Sequence, residues 1–264
     1  MPEGHTIHRA ARDQRRNFVG VTLRVSSPQG RFRDGAAALD GQRLTSIEAH
    51  GKHLVYLWEN GDLLHVHLGL FGKFRQSPGT NIEARGAIRL RLEAPDLTLD
   101  LRGPTACELI DGDAYGRLVA RLGPDPLRRD GDPEQFYTRA RRSKVAIGTL
   151  LLDQSAIAGV GNVFRAEALF VCGIAPETES RALSEHQLST LWRTVTEMLQ
   201  AGVKSGRIVT VDPVEVGKPR SKMRRGERTY VYRRETCLRC ETPVAKTALA
   251  ARNMFTCPTC QPPG

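Results

Sequence analysis

Near its end the chain reads "CLRC" and then "CPTC", with 16 residues between the two pairs. No other feature limits the fold so tightly. A C-x2-C knuckle turns two sulfurs toward one point, and two knuckles supply four thiolates to a tetrahedral zinc ion. Cys237, Cys240, Cys257 and Cys260 are therefore expected to hold one structural Zn2+, with a hairpin between them. All four positions would be filled by protein, which argues against catalytic zinc. The other two of the six cysteines, Cys107 and Cys172, stand alone and read as small buried hydrophobes. A disulfide framework is disfavoured because the opening residues carry charges throughout and lack the apolar core of a secretory signal.

The charge is as uneven as the cysteines. Formal net charge is +10, and from Lys204 onward 13 Lys/Arg face only 5 Asp/Glu. Such a surplus suits a polyanionic partner. No run reaches the roughly 18 apolar residues needed to span a bilayer, so the reading is a soluble, intracellular chain with no membrane partner. A length of 264 residues and 40% hydrophobic content allow one large domain or two smaller ones with real cores.

Residues 4–20 pattern as one amphipathic helix ending near Gly20. A β region follows. In "AIRLRLEAPDLTLDL", Ile88, Leu90 and Leu92 alternate with arginines, and Leu97, Leu99 and Leu101 alternate after a turn at 94–96, which predicts a hairpin with one buried face. "LGPDPLRRDGDPEQF" (122–136) is rich in Pro and Gly with no apolar period, and reads as a hinge. Beyond it the pattern is helical: two apolar helices broken at Gly159–Asn162, then a helix capped by Ser184. "VEVGKPRSKMRRGERTYVYRR" is basic, Gly/Pro-punctuated and expected to be mobile.

Several short stretches carry candidate chemistry, each with a plainer reading beside it. "MPEG" at the start either eases entry to a helix or, once Met1 is removed, presents the secondary amine of Pro2 beside the Glu3 carboxylate. A terminal amine has an ordinary pKa of about 8, so a useful fraction is neutral near pH 7. "AHGKHLVY" places Lys52 at a turn before a strand, where a solvated lysine is the plainer reading. "HVHLGLFG" sets Leu70 and Phe71 between two glycines, either as core or as an exposed hairpin tip able to wedge into a base stack. "GVGN" gives Asn162 as a helix cap with a lean toward phosphate. Arg252 and Asn253 fall where the zinc hairpin should turn, so Arg252 is either solvated or aimed at a phosphate.

Taken in order, "PEG", "GKHL", "HLGLFG", "GPDPL", "LLLDQSAIAGVGNVFRAEALF" and the four-cysteine hairpin resemble the formamidopyrimidine-DNA glycosylase/endonuclease VIII family of base-excision repair enzymes over nearly the whole chain. The resemblance implies an α+β fold. A catalytic β-sandwich domain would span 1–122, a hinge 123–135, a helix–two-turn–helix domain 136–229 and a zinc-finger hairpin 230–264. It implies Pro2 as nucleophile and Glu3 as general acid. Lys52 would contact the sugar-phosphate and help activate the lesion, a catalytic role that the resemblance extends to Arg252. Asn162 and Arg252 would hold phosphates, and His67, Leu70 and Phe71 would meet the DNA. The implied activity is base excision followed by β,δ-elimination at the abasic site.

The family's purine branch carries an Arg–Phe pair in a "PRRFG" stretch, whereas the matching segment here reads "DLRGPTACE". "GLFG" resembles the endonuclease VIII arrangement, so oxidised pyrimidines are the expected substrates. A formamidopyrimidine/8-oxoguanine enzyme and a non-catalytic protein that binds damaged DNA are the alternatives. The expected partner is damaged double-stranded, bubble or single-stranded DNA, bound by a monomer in the cytoplasm at the nucleoid.

Overall fold

The computed structural model describes residues 2–262. The chain forms two compact units, Met1–Arg121 and Leu122–Gly264.

The first unit begins with α1 (Gly4–Phe18), whose buried Ile7, Ala11, Gln14 and Phe18 share one face. Arg15 and Arg16 occupy its last turn, where cations suit the helix dipole. Then come β1 (Arg24–Ser26), α2 (Arg33–Leu39), β2 (Leu44–His50), β3 (His53–Trp58), β4 (Leu63–His67), β5 (Lys73–Pro78), β6 (Ile88–Ala94), β7 (Leu97–Arg102), β8 (Ala106–Ile110) and α3 (Gly112–Ala120). The strands make two four-stranded antiparallel sheets, ordered β1-β6-β7-β5 and β2-β3-β4-β8. Leu90, Leu92, Leu99 and Leu101 of one sheet share a core with Ile47, Leu54, Tyr56, Leu64 and Val66 of the other. Each fully buried side chain of this size contributes roughly 1.5–3 kcal/mol. Tyr56 also donates its hydroxyl to Gln14 Oε1 at 2.5 Å, joining α1 to this core.

Two expectations need correction here. The β6–β7 hairpin buries both faces, not one. Arg91 lies directly opposite Asp100 and grips it through two bonds of 2.7 and 3.1 Å. Both side chains are buried because residues around Ile82 cover them, and Arg91 also donates to the Ile82 carbonyl. Leu70 and Phe71 do not sit on a hairpin tip. β4 pairs with β3 and β8 whereas β5 pairs with β7, so residues 68–72 cross from one sheet to the other.

The second unit contains α4 (Pro133–Arg141), α5 (Ile147–Leu150), α6 (Asn162–Val171), α7 (Glu185–Ser205), α8 (Pro213–Val216), β9 (Ala245–Leu249) and β10 (Arg252–Thr256). Ser184 and Gln187 form a reciprocal capping box at the start of α7, and left-handed Gly206 closes its end. Residues 124–126 are buried within this unit. The first of the two apolar helices expected before Gly159 shrinks to the single turn α5. Local side-chain bonds outcompete helix beyond it. Asp153 Oδ1 accepts from the Ser155 amide and hydroxyl, and Gln154 bonds Leu152, Gly159 and Val160 backbone. The basic stretch 214–234 is anchored near both of its ends. Thr210 and Tyr230–Tyr232 bond one buried carboxylate, and Glu215 of α8 pairs with Arg239 of the first knuckle at 2.8 and 3.0 Å.

Candidate functional site

The first unit holds a cavity of about 470 Å³ between the start of α1 and the beginning of β5. Pro2 lines it, with Thr6 and Arg9 on one side and Lys73, Phe74 and Gln76 on the other. Glu3 is wholly buried. It occupies the cap position of α1, where its carbonyl accepts the Thr6 amide at 2.8 Å, while its carboxylate does not cap the helix. The helix start therefore sets the backbone of Glu3. His5 follows, also buried, and burial lowers its pKa to about 4.

Lys52 lies in the two-residue turn between β2 and β3, where Gly51 has φ +57°. Its carbonyl accepts from His67 Nδ1 at 2.9 Å, so Lys52 and His67 are neighbours. His67 stacks on His53 with ring centroids 4.7 Å apart. His53 Nδ1 meets His65 Nε2 at 2.9 Å, and His65 Nδ1 meets Glu108 at 3.0 Å. A carboxylate only accepts, so the bond to Glu108 places the proton on His65 Nδ1 and makes Nε2 the acceptor for His53. Burial, then the neighbouring His67 and His65, lower the His53 pKa to about 3. Leu70 and Phe71 follow this cluster. They are 52% and 86% exposed, on a crossing whose far end, Gly72, lines the same cavity as Pro2.

In the second unit the four cysteine sulfurs lie within 4.8 Å of one another. Tetrahedral Zn–S bonds of about 2.3 Å set sulfurs roughly 3.8 Å apart, so the cluster fits one zinc ion. The hairpin between the knuckles packs against α6. Asn162 Nδ2 donates to the Asn253 carbonyl at 2.9 Å, which brings Asn162 beside the strand that carries Arg252. Arg252 itself is exposed.

Comparison with known proteins matches residues 1–107 to the formamidopyrimidine-DNA glycosylase N-terminal domain, 122–213 to the formamidopyrimidine-DNA glycosylase H2TH domain, and 234–263 to a zinc finger found in FPG and IleRS. Endonuclease 8 1 of Mycobacterium tuberculosis is 44% identical over 267 residues, covering 99% of this chain and all of that protein. The chain belongs to the formamidopyrimidine-DNA glycosylase/endonuclease VIII family. The formamidopyrimidine-DNA glycosylase of Thermus thermophilus is 32% identical over the full length of both chains. The crystal structure of Lactococcus lactis Fpg (MutM) with DNA containing N7-benzyl-Fapy-dG superposes with a TM-score of 0.81 at 26% identity, covering 99% of this chain and 100% of that one. The chain is thus a DNA glycosylase of base-excision repair, with a zinc finger whose four clustered cysteines suit one structural zinc ion.

Two candidate site residues sit differently from expectation. Asn162 is the first residue of α6 and Gly161 takes the cap position, so the Asn162 side chain serves the hairpin instead of capping its helix. The hairpin turns at Ala250–Ala251, both left-handed at φ +54° and +55°, and Arg252 opens β10 opposite Leu249. Four residues were not anticipated from the sequence. His53 and His65 were visible as "KH" and "HVH", whose alternation puts His65 and His67 on one strand face. Arg165 and Glu167 were visible as the charged pair in an otherwise apolar helix, and both are wholly buried. Glu167 is the carboxylate that holds Thr210 and the amides of Tyr230, Val231 and Tyr232. Burial raises its pKa and those donors pull it back.

Proposed function

We propose that this glycosylase is bifunctional, excising oxidised pyrimidines through Pro2 and then cleaving the abasic site. The observation that carries the reading is Pro2 on the wall of a 470 Å³ cavity directly before a wholly buried carboxylate, Glu3, in a member of this family. With Met1 removed, the neutral amine of Pro2 attacks C1′ of an everted nucleotide. Glu3 delivers a proton to the sugar oxygen, the ring opens and the base departs. The secondary amine leaves an iminium with no N–H proton to shed. Its positive charge acidifies C2′, so loss of that proton expels the 3′ phosphate, and a second elimination expels the 5′ phosphate. Lys52 meets the sugar-phosphate. Asn162 and Arg252 grip flanking phosphates, while Leu70 and Phe71 fill the gap left by eversion.

Two observations favour pyrimidine lesions. The relative at 44% identity bears the name endonuclease 8. The turn from β7 to β8, where an Arg–Phe pair would stand, instead packs Thr105 under the crossing. A Cβ on Gly69 would lie 1.8 Å from Thr105 Oγ1. That turn supports Leu70 and Phe71, and its residues 103–105 include neither Arg nor Phe.

Borohydride reduction on an abasic-site duplex should trap an adduct whose linked peptide begins at Pro2. A link to an internal lysine in protein that retains Met1 would overturn the assignment. Glu3→Gln should slow base excision by about 10²-fold or more and spare cleavage of a preformed abasic site. Single-turnover rates should favour 5-hydroxyuracil over 8-oxoguanine opposite cytosine, and the reverse order would place the enzyme in the purine branch.

A further inference from the structure

Arg165 lies at the centre of the contact between α6 and the zinc hairpin, and nothing in the proposed chemistry uses it. Its guanidinium is wholly buried. One terminal nitrogen donates to Asn162 Oδ1 at 2.5 Å and to the Asn253 carbonyl at 3.4 Å. The other donates to the Leu249 carbonyl at 3.3 Å and the Gly148 carbonyl at 3.1 Å. A guanidinium has only donors. The Asn162 atom that meets it must therefore be the oxygen, which settles the orientation of an amide whose two ends are otherwise nearly the same shape. Nδ2 is then the donor end, on the side of the amide away from Arg165, and it donates to Asn253. Leu249 and Asn253 stand on opposite strands, on either side of the left-handed Ala250–Ala251 turn and of Arg252.

We propose that Arg165 is a positioning residue for DNA binding: it locks the Asn162 amide donor-outward and holds both strands of the hairpin that presents Arg252. This rests on the reading of Asn162 and Arg252 as phosphate ligands. An anion is recognised only by the Nδ2 end of the amide. An amide free to rotate would offer its oxygen part of the time and repel the phosphate. Rotation would also set two acceptors, Oδ1 and the Asn253 carbonyl, against each other.

The test is a double-mutant cycle on the full-length, zinc-loaded protein, using R165M, R165K, N162A and the R165M/N162A pair. Affinity for a duplex carrying a tetrahydrofuran abasic analogue is measured beside zinc content and the single-turnover rate at saturating enzyme. N162A and R165M should each weaken binding about tenfold, and the pair should be no weaker than either alone. R165M should keep one zinc and a saturated rate within about threefold of the parent, placing the loss in binding rather than chemistry. R165K should recover most of the affinity, since an ammonium also only donates. Additive losses in the pair would overturn the proposal and leave Arg165 a packing residue. Unchanged binding by N162A would instead overturn the phosphate reading on which the proposal stands. If R165M fails to fold, R165Q with and without N162A completes the cycle. R165Q should then cost affinity only where Asn162 is present, and an equal cost in both backgrounds would overturn the proposal.

Discussion

Two clusters of buried ionisable groups, one in each unit, serve opposite ends. In the first unit, His5, His53 and His65 are buried and their pKa values lowered, so they stay neutral near pH 7. In the second, Arg165 and Glu167 stand two residues apart on α6, wholly buried, each bonded to several partners. Chemistry that moves protons tolerates groups that can change state. A grip on a fixed polyanion needs donors that never do. The lesson is that burial outweighing any counter-charge keeps a histidine neutral, whereas burial with several hydrogen bonds fixes direction.

One tryptophan in each unit lets the contrast be tested directly. Trp58 is buried in the first core and Trp192 packs against the second. The largest expected effect is zinc removal. Chelation should lower the melting point reported by Trp192 in W58F by roughly 10 °C or more, because metal binding is part of that unit's folding free energy. DNA affinity should fall with it, while the transition reported by Trp58 in W192F stays in place. Coincident shifts at both probes would show one cooperative block and dissolve the comparison.

Acid comes next. His53 titrates near 6.5 when unfolded and at about 3 when folded. The unfolded chain therefore binds the extra proton between those values. The stability is fully present above pH 6.5 and is lost as pH falls, by about 3 kcal/mol at pH 4. His5, with a folded value of about 4, adds a loss of the same sign. Denaturant titrations read at Trp58 should show this decline, and H53F should flatten it. An acid limb of unchanged slope in H53F would remove the cluster from the account. The smallest effect is expected at the crossing. Leu70→Ala should leave stability within about 0.5 kcal/mol, since the side chain is exposed. It should slow excision from duplex severalfold and spare single strands, where there is no gap to fill. Equal slowing on both substrates would tie Leu70 to the cavity rather than to the stack.

What the sequence made legible was what depends on local spacing. The C-x2-C knuckles and the Ser184 cap reflect contacts a few residues apart, and Leu90 to Leu101 follow the strand period. What it hid depends on partners far along the chain. Arg91 alternates like a solvent-facing residue, yet residues near Ile82 cover it. Ala250 and Ala251 lack turn propensity and lose to "RN" on composition. Yet the register of Leu249 against Arg252 demands a two-residue turn with both φ positive. At Asn162, the helix-cap role implied by "GVGN" gave way to a bond reaching Asn253. The candidate site was readable as a set of residues through the family's motif order. The ties among them, His67 to Lys52 and Arg165 to Asn162, were not.

The glycines around Leu70 and Phe71 bear on how much order DNA binding must create. Gly69 adopts φ +62° against Thr105, and the Gly72 amide closes on the Leu68 carbonyl at 2.9 Å. A Cβ on Gly72 would lie 2.3 Å from that carbonyl oxygen. The backbone of the crossing is thus set before any duplex arrives. Ordering a loose loop costs roughly 1–2 kcal/mol per residue, while fixing a leucine rotamer costs about 0.5–1. Insertion into a base stack would therefore forfeit only side-chain rotation. In the role proposed for them the two apolar groups would act as a preformed blade, with the entropy of shaping it belonging to folding and the free energy of encounter left for opening the helix.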